Sequence, residues 1–279
     1  MRKPETLNVA VVQMSAGVDP VANLANLCSL LEPSLVCEAD LVVVPEYALC
    51  CGSPATIRAA ARSEKEWRDF FEDDLVSKLN GILVVGGLPV TRGTGRVADS
   101  SLVVDCATGE VVEVYDKVNL FKYAGGTDGG VDEAELFVPG DRICTMDVQG
   151  WNVRLSICFD LRFPELFRHG AGYEVAVCTA AFTHETGLAH WETLLRARAI
   201  ENQCYMVAAG LSGMNAETQL DLYGHSCVID PWGRIAWEAP SDFSGVQMVT
   251  LDRNRICEVR KRLPALFSCP QCSRGEQPS

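Results

Sequence analysis

Apolar residues recur along this chain in short runs of two kinds. Stretches such as "LNVAVVQM", "ADLVVVPE" and "GILVVGGLPV" are continuous, brief and rich in valine, which predicts strands covered on both faces. "SSLVVDC" and "EVVEVYD" extend the series across Gly-rich turns. Two other segments carry apolar residues at helical spacing. "ANLANLCSLL" predicts a helix after the first strand, and "SEKEWRDFFEDDLVSKLN" predicts an amphipathic helix with Ser63 as N-cap and Asn80-Gly81 as its stop. A second group of strands follows in "RICTMDV", "WNVRLSIC", "YEVAVCTAA", "CYMVAAGLS", "GHSCVID", "GRIAWEA" and "VQMVTLD". A long helix through "LAHWETLLRARAIEN" lies among them, with Leu194, Leu195 and Ile200 towards the core and Glu192, Arg196 and Arg198 free to form ion pairs.

Two sets of mixed strands with helices between them predict an α/β protein in which two sheets pack face to face under outer helices, a four-layer α-β-β-α sandwich. A closed eight-stranded α/β barrel is the competing architecture. Hairpin-like turns at Gly93 to Gly95 and at Thr108-Gly109 argue for antiparallel neighbours and so for the sandwich. No linker interrupts the runs in 279 residues, so one domain over 1–279 is expected, with a loose tail from Ser268.

Composition narrows the partners. A net charge of −13 opposes nucleic acid and anionic membrane, both of which need a basic surface to displace counterions. Thirteen cysteines suggest a disulfide framework only in short secreted chains, and here the first apolar stretch is broken at Gln13 before it reaches the length of a secretory core. No apolar run approaches the ~20 residues of a membrane span. A reducing cytoplasm with free thiols is therefore expected. Cys269-Pro270-Gln271-Cys272 has metal or redox spacing without a second pair, His184-Glu185 meets Leu188 where a zinc helix needs histidine, and Gly93-Thr94-Gly95 stops resembling a dinucleotide loop at Ala98. No metal or cofactor is expected.

Three strand-like runs each end in a different reactive group: "LVVVPE" in Glu46, "EVVEVYDK" in Lys117 and "VRLSIC" in Cys158. The carboxyl ends of strands are where α/β sheets collect active sites. A carboxylate base, a fixed cation and a thiol are the parts that thiol-based amide hydrolysis needs. Taken singly, each has a plainer reading, as a loop carboxylate, a solvated lysine and a buried cysteine. Pro164 suits the first turn of a helix after Cys158, and a thiol near a helix N-terminus and a cation is expected to stand as thiolate.

"VVVPE", "YDKVNLF" and "SICFDLRFPELFR", in this order, resemble the Glu, Lys and Cys motifs of the nitrilase superfamily of carbon-nitrogen hydrolases, and the similarity runs from about Leu7 to Phe267. "AAFTHETGLAHWETLLRARAIENQCYMVAAG" and "GHSCVIDPWGRI" resemble the amidase branch that contains deaminated-glutathione amidase and omega-amidase. The resemblance implies that Glu46 is the base, Cys158 the nucleophile, and Lys117 with the backbone N–H of Phe159 the oxyanion site. It implies a second glutamate after the lysine, for which "VDEAELFVPG" offers Glu133 ahead of Glu135. It further implies a small linear amide carrying a carboxylate, with Arg162 or Lys122 as its local cation, and a homodimer paired through the long helix. N-carbamoyl amino acids are an alternative substrate class. Asn119 stands where the motif commonly has histidine, "KYAGGTDGG" is unusually glycine-rich, and Ala180 replaces a frequent proline, departures that leave the substrate open; Asn119 and the glycine-rich loop also motivate the alternative of a non-catalytic scaffold.

Overall fold

The computed structural model describes residues 4–31, 36–93, 95–124 and 131–266. Five strands build most of one sheet: β1 (Thr6–Gln13), β2 (Leu41–Val44), β3 (Ile82–Arg92), β4 (Arg96–Asp105) and β5 (Glu110–Asp116). A short hairpin, β6 (Lys122–Tyr123) with β7 (Val131–Asp132), follows. The second sheet begins with β8 (Thr145–Val148), β9 (Trp151–Ile157), β10 (Val175–Ala180) and β11 (Tyr205–Gly210). After the hairpin of β12 (Ser212–Met214) and β13 (Asp221–Tyr223) it is completed by β14 (Cys227–Ile229) and β15 (Ile235–Glu238). Strand β16 (Gly245–Asp252) closes the series.

The sheet orders are β16-β1-β2-β3-β4-β5 and β15-β14-β11-β10-β9-β8. Each has three parallel strands at its centre, β1-β2-β3 in one and β9-β10-β11 in the other, with antiparallel neighbours outside them. The central strands are buried on both faces, which is why they read as unbroken valine-rich runs. Val9, Val11, Val43 and Val84 of the first sheet share one core cluster with Leu155, Ile157, Val177 and Val207 of the second. The opposite parity of the first sheet, Ala10, Val12, Val42 and Val44, packs instead with Leu24, Leu27, Trp67 and Phe71 from the outer helices. The sandwich is therefore the observed architecture, and the two glycine turns are hairpins joining β3 to β4 and β4 to β5.

The helices are α1 (Pro20–Leu30), α2 (Pro54–Ala60), α3 (Glu64–Phe71), α4 (Pro164–Arg168), α5 (His184–Asn202) and α6 (Arg253–Arg262). Pro164 stands at the start of α4, as its fixed φ favours. Ser63 caps α3 in a full capping box with Glu66, but the helix ends at Phe71 rather than at Asn80-Gly81. The run Glu72-Asp73-Asp74 sets three acidic groups at the negative end of the helix dipole, and Leu75, Val76 and Leu79 are buried through a separate 3-10 turn, Val76–Lys78. In α5 the buried stripe is Trp191, Leu195, Arg198, Ala199 and Asn202, so Ile200 falls off it and is 48% exposed, contrary to its expected place in the core.

The segment "VQMVTLD" also departs from expectation. It follows the second strand group in sequence, yet as β16 it lies antiparallel to β1 from Thr6↔Asp252 to Gln13↔Gly245. Apolar patterning is the same in both sheets, so sheet membership is decided by long-range pairing that local sequence does not encode.

Gly86 and Gly87 mark where the sheets come closest. They form a bulge in β3 between Val85 and Leu88. A Cβ on Gly86 would lie 2.1 Å from Thr179 Oγ1 on β10, and Gly87 has φ +66°, where a Cβ would meet Tyr47 N at 2.2 Å and Glu46 Cγ at 2.6 Å. Gly86→Ala is expected to destabilise the fold by about 1–3 kcal/mol, because the obstacle is a strand residue rather than a flexible side-chain end. Urea unfolding checks this, and an unchanged midpoint would show that the two strands can separate without cost.

Candidate active site

Glu46 lies just beyond β2, Lys117 directly follows β5, and Cys158 directly follows β9, so three strand ends deliver the three groups. Cys158 opens the 3-10 turn Cys158–Arg162 with φ +44°, a left-handed conformation rare for a side-chain-bearing residue. Glu133 begins a second 3-10 turn, Glu133–Glu135.

Lys117 and Asp99 are fully buried, and Glu46 is 1% exposed. Lys117 Nζ donates to Glu46 Oε1 at 2.9 Å, to Asp99 Oδ2 at 3.1 Å and to Glu133 Oε1 at 3.0 Å. An ammonium has three N–H donors, and all three are taken. Glu46 Oε2 accepts from the Ala181 N–H at 2.8 Å, just beyond the end of β10. Glu133 Oε2 accepts from the Phe121 N–H at 2.7 Å, and its Oε1 accepts from Tyr47 Oη at 3.2 Å. Glu133 is thus the second glutamate at the lysine, while Glu135 offers only its backbone carbonyl to Arg58 at 3.3 Å.

Glu46, Tyr47, Glu133, Cys158, Phe159 and Arg162 line a pocket of about 50 Å³, with Lys117 and Asp99 behind its wall. Phe121 and Phe182 close its apolar side. The Arg162 guanidinium lies 5.6 Å from the Phe159 ring and 5.3 Å from that of Phe182, and its Nη1 is 3.2 Å from His190 Nδ1. No carboxylate among the described residues pairs with it. Lys122 is 71% exposed, bound to Asp132 at 2.6 Å, and is not part of the pocket wall.

The charges set the chemistry. Burial pulls Lys117 towards neutrality, but Glu46, Glu133 and Asp99 outweigh it and hold the ammonium well above the ordinary lysine value. Carboxylate oxygens of Glu46, Asp99 and Glu133 all lie within 4.8 Å of one another, a spacing that suits a cation, and the Lys117 ammonium is the cation among them. Burial drives Asp99 well above the usual carboxylate range; Lys117 opposes this, and Glu46 and Glu133 reinforce it. Cys158 is also held well above its ordinary thiol value, by burial first and then by Glu46, against the opposing pull of Lys117 and the Ala181 N–H. The push on Cys158 therefore runs against the thiolate expected from a nearby cation, because burial and two carboxylates oppose Lys117.

Asn119 is built into the turn that carries Cys158. Its backbone N–H and its Nδ2 both donate to Asp160 Oδ1, each at 2.9 Å. Asp160 Oδ2 accepts from Tyr115 Oη at 2.7 Å and from the Ile157 N–H at 3.0 Å. Four donors and a fully buried site make Asp160 an acceptor that ties β5 and the lysine loop to the residue preceding Cys158.

A scan of the whole sequence agrees with this arrangement: the Carbon-nitrogen hydrolase family model matches residues 8–261. The chain belongs to the carbon-nitrogen hydrolase family. It is 40% identical to deaminated glutathione amidase from Bos taurus over 267 residues, covering 92% of this chain and 80% of that protein. It is 30% identical to omega-amidase NIT2 from Mus musculus over 265 residues, covering 94% of each. Among solved structures it is similar to Saccharomyces cerevisiae Nit3, a member of branch 10 of the nitrilase superfamily, with a TM-score of 0.83, 28% identity and coverage of 96% of this chain and 97% of that one.

Reading this carbon-nitrogen hydrolase from sequence alone misses Asp99, Tyr47, Asp160 and the Ala181 amide. Asp99 had a visible signal. In β4 it shares parity with Val103, which packs between the sheets, so an acidic residue stands at an inward position of a strand buried almost throughout. The backbone amide of Ala181 had none, because any residue there carries the same N–H. Most of "KYAGGTDGG" and the tail cysteines Cys269 and Cys272 lie outside the described residues.

Asn119→Ala should leave the fold intact and lower kcat/KM about ten- to a hundredfold, since a lost hydrogen bond to a charged acceptor is worth about 1.5–3 kcal/mol. Ammonia release measured beside thermal unfolding checks it. A large fall in the unfolding midpoint with unchanged turnover would place the bond in the fold rather than in the site.

Proposed function

We propose that the protein hydrolyses the C–N bond of a small linear amide through a Cys158 thioester, releasing ammonia and a carboxylate. The observation that carries this reading is the joining of Glu46 to Lys117 at 2.9 Å beside the pocket that Cys158 lines. Glu46 takes the thiol proton as the sulfur attacks the amide carbonyl, so attack and proton transfer are coupled and no free thiolate is needed beforehand. The developing oxyanion meets the Lys117 charge and the Phe159 N–H. Glu46 then passes its proton to the nitrogen, and ammonia leaves. In the second half Glu46 takes a proton from water, the hydroxide opens the thioester, and the thiol is restored. Saturation of Nζ gives this sequence an internal logic. Once Glu46 is protonated it is a weaker acceptor, which frees a Lys117 N–H for the oxyanion when charge builds there.

Arg162 is the cation suited to a substrate carboxylate, being half-buried at the wall of the pocket. Burial lowers its pKa from the ordinary value, a cost that an arriving carboxylate relieves. The names of the relatives, deaminated glutathione amidase and omega-amidase, support an amide of this kind. Asn119 no longer motivates a scaffold without turnover, since its amide bonds into the cysteine turn. A homodimer through α5, where Leu188 is 70% and Ile200 48% exposed, and residence in a reducing cytoplasm complete the proposal. Eleven cysteines among the described residues are free, and no described helix is long and apolar enough to cross a membrane.

An ammonia-release screen over deaminated glutathione, short dicarboxylic monoamides, N-carbamoyl amino acids and uncharged amides tests the reading. Cys158→Ala should abolish release from every substrate with an unchanged unfolding midpoint, and wild-type-like turnover by that variant overturns the assignment. Arg162→Gln should lower kcat/KM about ten- to a hundredfold for carboxylate-bearing amides and leave uncharged ones within about threefold. An equal loss on both classes would remove Arg162 from substrate recognition.

A further inference from the structure

The cluster has two more acids than its cation can balance. Lys117 carries one positive charge, and the carboxyl groups around it belong to Glu46, Asp99 and Glu133. Asp99 Oδ2 is bonded to Nζ at 3.1 Å, but Oδ1 is buried with no hydrogen-bond partner. An ionised carboxylate with one oxygen left dry and unpaired is costly. A carboxyl oxygen of Asp99 also lies within 4.8 Å of one from Glu46, and two carboxyl groups so close in a buried site are best accommodated when one holds a proton. The other titratable groups facing Asp99 are Tyr47 beyond β2, Lys117 beyond β5 and Glu133 in its 3-10 turn.

We propose that Asp99 is a neutral carboxylic acid in the resting enzyme, a positioning residue that holds Lys117 through one oxygen and donates its proton to Glu46 through the other. A proton on Asp99 converts the unpaired oxygen into a donor and leaves one net negative charge, from Glu46, Glu133 and Lys117, beside Cys158. Ionised, Asp99 would make that two, tying up the Lys117 charge and disfavouring the sulfur anion further. The proton therefore keeps the lysine available to the oxyanion and Glu46 oriented as base. Activity falls on the alkaline side as Asp99 loses its proton. The burial that raises Asp99 in the folded state also gives the sign of its effect on stability: the group favours folding at low pH, and that contribution is lost as pH rises through its folded value.

This deepens the hydrolase reading and rests on it for its kinetic arm alone. Infrared difference spectra of wild type against Asp99→Asn, at neutral pH and without substrate, read the carboxyl directly. A C=O band of a protonated acid present in wild type and absent from the variant is expected, and a flat difference spectrum overturns the proposal whether or not any amide is turned over. Asp99→Asn, neutral and of the same shape, should lose the alkaline limb of the pH profile and retain at least about tenfold more kcat/KM at neutral pH than Asp99→Leu, which should cost about a hundredfold. The Tm of Asp99→Asn relative to wild type should rise with pH. Loss of activity in Asp99→Asn equal to that in Asp99→Leu, with the alkaline limb unchanged, shows that Asp99 serves as an anion and overturns the proposal. Asp99→Ser supplies the same infrared comparison if asparagine is not tolerated.

Discussion

The site depends on a lysine ammonium held entirely out of water. Moving such an ion from solvent into a protein interior costs several kcal/mol even after relaxation, and only close, well-aligned anions offset it. Lys117 meets that condition with three carboxyl partners at 2.9, 3.1 and 3.0 Å, so no N–H is left without an acceptor. The arrangement is intolerant of partial removal. Deleting the cation leaves two buried acids and a partly buried one facing one another, and deleting one acid leaves a buried N–H unpaired. The ends of β2 and β5, a residue within β4 and the Glu133 turn are thereby fixed relative to each other by one nitrogen.

That nitrogen belongs to the first sheet, whereas Cys158 belongs to the second. Two polar links cross between them. Glu46 accepts from Ala181 beyond β10, and Asp160 collects Tyr115 and Asn119 from the lysine strand and its loop. Glu46 and Cys158 are therefore registered by the packing of the sandwich rather than by neighbours in sequence. The glycine pair in β3 has its place in the same scheme: without Cβ atoms at 86 and 87, β3 can approach Thr179, and Glu46 can sit against the strand.

Much of this was legible in the chain because local pattern and chemistry coincide at strand ends. Valine-rich runs announced the central strands, and the residues that terminate three of them are the ones that meet. Polar groups whose partners come from distant segments were harder to see. Asp99 binds Lys117 across 18 positions, and Asp160 binds Tyr115 across 45; neither pairing has a local signature. The sheet of β16 and the early stop of α3 belong to the same class, since each is decided by burial against a remote surface. The forces on the Cys158 proton were hidden for a related reason: the desolvation and two carboxylates that act against the nearby cation come together only once the chain is folded.

The direction of that push bears on how one thiol can be set apart from so many others. A standing thiolate is reactive towards oxidants and electrophiles regardless of substrate. A half-buried thiol whose proton is held more tightly than usual would, under the proposed mechanism, react when a carbonyl is present to receive the sulfur and a cation is placed to receive the oxygen. The excess of acid around Lys117, which at first looks like a handicap for anionic chemistry, then acts as a lock. It disfavours the sulfur anion and, under the proposed mechanism, would yield when charge migrates from sulfur to oxygen, towards the lysine and the backbone N–H. Selectivity for amides would in this way arise from the energetics of the charge cluster as much as from the shape of the pocket.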